Sequence, residues 1–270
     1  VVSRADIRSG SGRLDVRELE RLYRRYNRPS FRSSDPVEFV HRYGDPRDRE
    51  VAAIVASSLA FGSVKQIRAS VERALGPLGR SPAAFLAETP SRRLAAIYCG
   101  FKHRWVTGED LAGLLGGVRG AMAAHGSLGG LFMSRLESNA RDTGSAAGFF
   151  ADEIRRRGSG FRGCLLPSPR NGSACKRLHL FLRWMIRKDE IDAGLWPDAP
   201  ASILLVPLDV HAFRAARAFG LTRRGAADHT AAVEVTAGFR EISPADPVKY
   251  DFAIAHEGMN AAARGRGSHD

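Results

Sequence analysis

This sequence of 270 residues is poor in lysine and cysteine and has no long apolar run. Its five lysines are Lys65, Lys102, Lys176, Lys188 and Lys249; arginine supplies the rest of its 41 basic residues. The three cysteines, Cys99, Cys164 and Cys175, are odd in number and show neither CxxC spacing nor metal-type clustering with histidine. They rule out a four-cysteine iron–sulfur cluster within this chain, predict no metal site, and fit reduced thiols in a cytoplasmic protein. No run reaches transmembrane length and no charged-then-apolar signal segment stands out, so no membrane partner is expected. Strand signals are scarce as well. Only Ile203-Leu204-Leu205-Val206 reads as strand, and four residues between helices fit an extended connection equally well.

What the chain does have is an ordinary apolar fraction, 44%, enough for a sizeable core in one large domain or two small packed ones. Its net charge is +12, with a pI near 10.4. Such a balance points to a polyanionic partner, nucleic acid ahead of an anionic membrane surface, unless it reflects only a general preference for arginine.

The pattern is helical almost throughout. A charged amphipathic helix is expected from Asp15 to Tyr26, followed by a loop through Asn27-Arg28-Pro29-Ser30. Asp45-Pro46 opens a helix whose small residues through Phe61 imply packing on several sides, and Gly62-Ser63 starts another from Val64 to Leu75. Ser81-Pro82 begins a short helix, and Thr107-Gly108-Glu109-Asp110 caps a longer one to about Ala124. Further helices are expected over Ser145–Arg157, Ser173–Lys188, Asp209–Phe219, Asp228–Glu241 and Asp246–Glu257, the last again opening on Asp-Pro. The polar ends, 1–12 and 261–270, are expected to fray around one all-α domain over 13–260.

Within the Ser173 helix, Ala174, Leu178, Phe181 and Met185 follow the spacing of a core face, and Lys176 lies off it, in line with Arg183 and Arg187. A lysine at a helix start, beside Arg177, meets a positive dipole end and a second cation, both of which disfavour its ammonium form. A neutral lysine is a nucleophile and forms Schiff bases, which arginine cannot do. The same lysine could equally contact a phosphate as a point charge. Asp209 follows an apolar run and begins a helix; it is either a plain N-cap or a carboxylate kept ionised by helix amides. His211 fits packing or hydrogen bonding as well as ligand contact. The loop Leu166 to Ser173 either turns the chain or holds a phosphate through Arg170, Asn171, Gly172 and Ser173. Phe61, Phe101, Trp184 and Trp196 are candidates for stacking on a base or for the core.

Taken together, Leu166-Pro167, Lys176 and Leu208-Asp209-Val210-His211 resemble, in that order, the hairpin, lysine and Val-Asp-x-His stretch of the helix-hairpin-helix DNA glycosylase superfamily. Glu50 to Leu75 resembles the family's paired helices around a DNA-intercalating turn, here Leu59-Ala60-Phe61-Gly62. Ile97 to Ala124 is similar to its next segment, with Gly100-Phe101-Lys102 at the break. Leu166-Pro167-Ser168-Pro169, Gly172 to Arg177 and Asp246 to Phe252 also resemble an uncharacterised prokaryotic family of unknown function. The usual hairpin reads Leu-Pro-Gly-x-Gly and carries a phosphate and monovalent-cation site; both glycines are absent here. Lys176 and Asp209 stand 33 positions apart, as in members with a long connection, and the iron–sulfur loop is missing.

The resemblance implies two interleaved helical subdomains flanking a cleft, in a monomer that acts on damaged duplex DNA without an iron–sulfur cofactor. It implies Lys176 as nucleophile and Asp209 as its carboxylate. DNA contacts are implied at Phe61, Lys102, Arg170, Asn171, Gly172, Ser173, Arg177 and His211. The alternative is a nucleic-acid-binding protein, for damaged DNA or structured RNA, that keeps the scaffold without the chemistry.

Overall fold

A computed structural model describes residues 15–266, with side chains to residue 258. Residues 1–12 therefore lie outside the described residues. The first helix, α1 (Val16–Tyr26), is capped by Asp15, whose side chain accepts the Arg17 amide, and buries Leu19, Leu22 and Tyr26 along one stripe. Two 3-10 turns, Pro29–Ser34 and Pro36–Arg42, replace the expected loop, each opened by a proline whose missing N–H costs nothing at that position.

Helix α2 (Pro46–Ser58) starts on the Asp45 carboxylate, which accepts the Arg47 amide at 2.8 Å. Residues Val51 to Ala56 are fully buried, so α2 is the central helix, and its small side chains let neighbours approach from all sides. It ends at Ser58. Ser63 then caps α3 (Val64–Leu75). Next come α4 (Pro82–Glu88) and α5 (Ser91–Ile97), the latter not foreseen, and a hairpin of β1 (Lys102–His103) with β2 (Val106–Thr107).

The capping box of Thr107 and Asp110 forms as the sequence predicts and opens α6 (Gly108–His125). Short α7 (Leu128–Met133) begins where buried Glu50 of α2 accepts the Leu128 and Gly129 amides, both at 2.8 Å. Helix α8 (Gly144–Arg157) lies against α6 because Gly117 has no side chain; a Cβ there would sit 2.2 Å from the Ile154 carbonyl oxygen. Then come α9 (Lys176–Ile186), α10 (Val210–Ala218), α11 (His229–Ile242) and α12 (Asp251–Arg266). One continuous apolar core runs from Leu22 through α2, α6, α8 and α9 to Ala253. The chain is mostly helical, and among the described residues no helix is long and apolar enough to cross a membrane.

Two expectations are corrected. Helix α9 starts at Lys176 rather than Ser173, because Gly172 (φ 75°) and Cys175 (φ 45°) take left-handed backbone that no helix can contain. Asp246-Pro247 opens no helix: the Asp246 carboxylate is taken by Arg187 Nε at 2.7 Å, and α12 begins at Asp251. Of the two readings of Ile203 to Val206, the connection holds: Ile203 closes a 3-10 turn, Leu204 leaves it in extended backbone, and the Val206 amide donates to Thr236 Oγ1 at 3.0 Å. Helix α12 runs to Arg266, and residues 267–270 lie outside the described residues.

Candidate active site and nucleic-acid surface

Helix α9 has an unusual start. The Cys175 amide donates to Ser173 Oγ at 3.2 Å, its thiol donates to the Pro167 carbonyl at 3.4 Å, and no side chain caps the helix. Burial pushes the Cys175 thiol up to about 11, so it is a packing group rather than a thiolate. Lys176 is the first helical residue, at the positive end of the dipole.

Its Nζ donates to Asp209 Oδ2 at 2.9 Å. Asp209 is also the N-cap of α10, where Oδ1 accepts the Ala212 amide at 2.7 Å. Burial alone would raise its carboxyl, but the Lys176 charge and the Ala212 amide outweigh burial and hold it below its ordinary value. The two side chains remain 39% and 34% exposed, so a ligand can reach both. The cap and the ion pair use different oxygens, and both roles weighed for Asp209 are therefore filled at once.

A second carboxylate stands near. Asp251, the first residue of α12, accepts from Arg183 Nη1, and Arg183 Nε also reaches Asp192 at 3.2 Å. Burial raises the Asp251 carboxyl, against the opposing charges of Arg183 and Lys176. Asp251 lines an apolar pocket with Leu208, Ala212, Phe219, Val235 and Phe239, directly behind the α10 cap. Arg183 and Arg187, in line with Lys176 along α9, are buried among Asp189, Asp192, Asp246 and Asp251. This lock fixes how α9 and α12 meet and so sets the lysine's surroundings.

A family model described as "Protein of unknown function (DUF2400)" matches residues 35–260. The chain belongs to the DUF2400 family. No curated protein and no solved structure matches it. The matched span takes in every site residue named above, while α1 lies before it.

Within this DUF2400 chain, the other residues singled out from the sequence divide by location. Arg170, Asn171 and Gly172 are exposed on the turn before α9, with Arg170 Nη1 on Asp152 at 3.3 Å. Ser173 Oγ is engaged as acceptor for the Cys175 amide. His211 is exposed on the first turn of α10, close enough for its charge to act on Asp209. Lys102 is exposed on β1, and its carbonyl accepts Arg73 Nη2 at 2.8 Å.

Arg177 is placed otherwise than expected. Its guanidinium turns from Lys176 to donate to the Ser58 carbonyl at 2.6 Å and to the Cys164 carbonyl. Desolvation lowers its pKa to about 10. The charge facing Lys176 is thus the Asp209 carboxylate, not a second cation. Arg177 also lies 4.9 Å from the centre of the Phe61 ring, which ties the 59–62 turn to the start of α9. Phe101, Trp184 and Trp196 belong to the core, and Trp196 donates to Glu50 at 2.7 Å.

Four carbonyls of the turn before α9 accept N–H or S–H donors: Ser168 from Asn171, Pro169 from Gly172, Gly172 from His229, and Pro167 from the Cys175 thiol. Among the described residues no group of three or more His, Cys, Asp or Glu side chains gathers to hold a metal ion.

Sequence reasoning missed two residues here. Asp251 was hidden because an Asp-Pro pair five residues earlier carried the stronger local helix signal. Trp105, at the hairpin tip, follows Arg104 at φ 50° rather than the glycine or asparagine that marks such turns.

Proposed function

We propose that this chain is a DNA base-excision glycosylase with lyase activity, built on a helix-hairpin-helix-type scaffold of two helical subdomains flanking a cleft. The observation that carries the reading is the half-exposed Lys176–Asp209 pair, with both residues at helix starts on a strongly basic protein. A glycosidic bond inside a duplex is out of reach, so the target nucleotide must leave the stack first.

In the proposed reaction Lys176 Nζ bonds to the anomeric carbon as the bond to the base breaks. Asp209 takes a proton from the amine, and the departing base leaves with the bonding electrons and is protonated in turn. The negative carboxylate also opposes the positive charge that develops on the sugar. Opening of the sugar ring then gives a protonated Schiff base, with a proton delivered to the ring oxygen; the Asp209 carboxylate, having passed its first proton to the departed base, then removes a C2′ proton as the 3′ phosphate leaves, which nicks the strand. Arg170 and the exposed Asn171 side chain hold phosphates beside the extruded nucleotide. A panel of duplexes, each with one damaged base, tests this by base release. Release from one of them, lost in Asp209→Asn, is expected; release from none contradicts it.

A second reading, a DNA- or RNA-binding protein without chemistry, is favoured by the 18-residue connection between α8 and α9, where a short glycine hairpin would be expected. It predicts salt-sensitive binding that Lys176→Ala weakens only by the equivalent of one phosphate contact.

A further inference from the structure

The tip of the β1–β2 hairpin carries an indole that the reaction leaves without a task. Trp105 is 38% exposed and is the aromatic among the exposed large apolar side chains of the described residues. One of its faces lies on Phe61, with ring centres 4.8 Å apart and planes within 14°. We propose that Trp105 and Phe61 form a two-ring platform on which one unpaired base of a DNA duplex stacks, with flanking phosphates held by nearby arginines. The proposal rests on the DNA reading above and adds to it the residue that receives the unpaired base.

Three contacts fix the platform before any ligand arrives. His103 Nε2 bonds the Phe61 carbonyl at 3.0 Å, and His103 Nδ1 bonds Ser70 Oγ at 2.9 Å. Arg104 lies over Gly62, where an added Cβ would stand 3.4 Å from its Cδ, so the hairpin tip packs on the 59–62 turn. Arg162 donates to the Trp105 carbonyl and is itself held by the Asp110 carboxylate, 2.6 Å from Nη2. Presenting the indole also requires Arg104 to adopt a left-handed backbone, a cost the chain bears where glycine would be free.

The surroundings select the ligand. The guanidinium carbons of Arg162 and Arg177 lie 5.6 and 5.7 Å from the Trp105 ring centre, and Lys102 is exposed on the same hairpin. Those charges repel a cationic ligand of the kind that aromatic cages bind. They suit a flat neutral ring joined to phosphates, which describes a nucleobase in a strand. Phe61 cannot serve as a free wedge, because Trp105, His103 and Arg177 pack around its ring; the indole is the more exposed ring of the pair. Since Arg177 touches both rings and follows Lys176, the platform and the lysine sit at the same end of α9.

Tryptophan fluorescence tests this directly, because Trp184 and Trp196 are buried at 0% and 5% exposure and Trp105 is the accessible indole. The probes are a duplex with one tetrahydrofuran abasic analogue, which leaves its partner base orphaned, and the fully paired duplex of the same sequence. The orphan-base duplex is expected to bind tighter and to quench Trp105. Trp105→Ala should lose roughly 5- to 150-fold in affinity for it, with little change toward the paired duplex. The salt slope should stay the same, since no ion pair is removed, and Trp105→Phe should recover most of the loss. Equal wild-type affinity for the two duplexes, an unquenched indole, or a folded Trp105→Ala variant that binds as wild type would each overturn the platform. Quenching by the orphan-base duplex in a wild-type chain that releases no base from any damaged duplex would sink the glycosylase reading and leave the platform standing. Base release that survives Trp105→Ala without loss of orphan-base affinity sinks only the platform.

Discussion

Lys176 Nζ and Asp209 Oδ2 are 2.9 Å apart, although 33 residues separate them in sequence, and each stands at the start of its own helix. The same aspartate caps α10 with its other oxygen, so its position is set by the helix it begins. That division of labour makes its two roles separable by mutation.

Asp209→Asn keeps an N-cap acceptor and removes the charge, and Asp209→Ala removes both. The asparagine variant is expected to unfold within a few tenths of a kcal/mol of wild type, and the alanine variant about 1 kcal/mol earlier. Both should lose roughly 10²- to 10⁴-fold in base release, the range ascribed to a positioned acid or base. Chemical denaturation alongside a base-release assay checks the split.

Glu50 ties the central helix to α7 through two amides and the Trp196 indole. Glu50→Ala would leave three buried donors unpaired and should destabilise the protein by at least about 3 kcal/mol. Amide exchange at Leu128 and Gly129 should accelerate before exchange in α2 does. An unchanged denaturation midpoint would show that this cap is dispensable.

His179 is fully buried on α9, both ring nitrogens are without hydrogen-bond partners, and burial lowers its pKa to about 3. An unfolded histidine takes up a proton near pH 6.5, so between about 6.5 and 3 the unfolded chain binds the extra proton. Stability from this residue is therefore complete above pH 6.5 and is lost on acidification, by up to about 1.4 kcal/mol per pH unit. His179→Leu should flatten the stability–pH curve and be neutral or stabilising at pH 7. His41, His103 and His256, which burial also lowers, add to the slope that remains, and Glu50, Asp192 and Asp251, whose carboxyls burial raises, oppose it. Denaturation midpoints at pH 5 and pH 7 decide it.

Of the helices that the sequence predicts within a residue of their observed start, six have a side chain in the cap (Asp15, Asp45, Ser63, Thr107, Asp209 and Asp228), while α4 and α8 start as expected without one. Cap chemistry is local, so it can be read locally. Asp45-Pro46 and Asp246-Pro247 carry the same local signal, yet only the first starts a helix, because Arg187 claims the second carboxylate from 59 residues away. The start of α9 was misplaced for a related reason: Cys175 takes a backbone conformation that its thiol contact to Pro167 supports and no propensity foretells. At the site, the order of lysine and aspartate along the chain could be read and their pairing foreseen. The approach of Asp251, the turning away of Arg177 and the stacking of Trp105 on Phe61 depend on how α9 meets α12 and the hairpin, which no single segment encodes.

The central claim is that Lys176 is a nucleophile toward DNA, and borohydride trapping on duplex DNA with an abasic site tests it most directly. A Schiff base reduced in place leaves a stable covalent adduct between protein and strand. The wild-type chain is expected to give that adduct and Lys176→Gln to give none, while Lys188→Gln behaves as wild type. No adduct from the wild-type chain, or one that survives Lys176→Gln, would contradict the account.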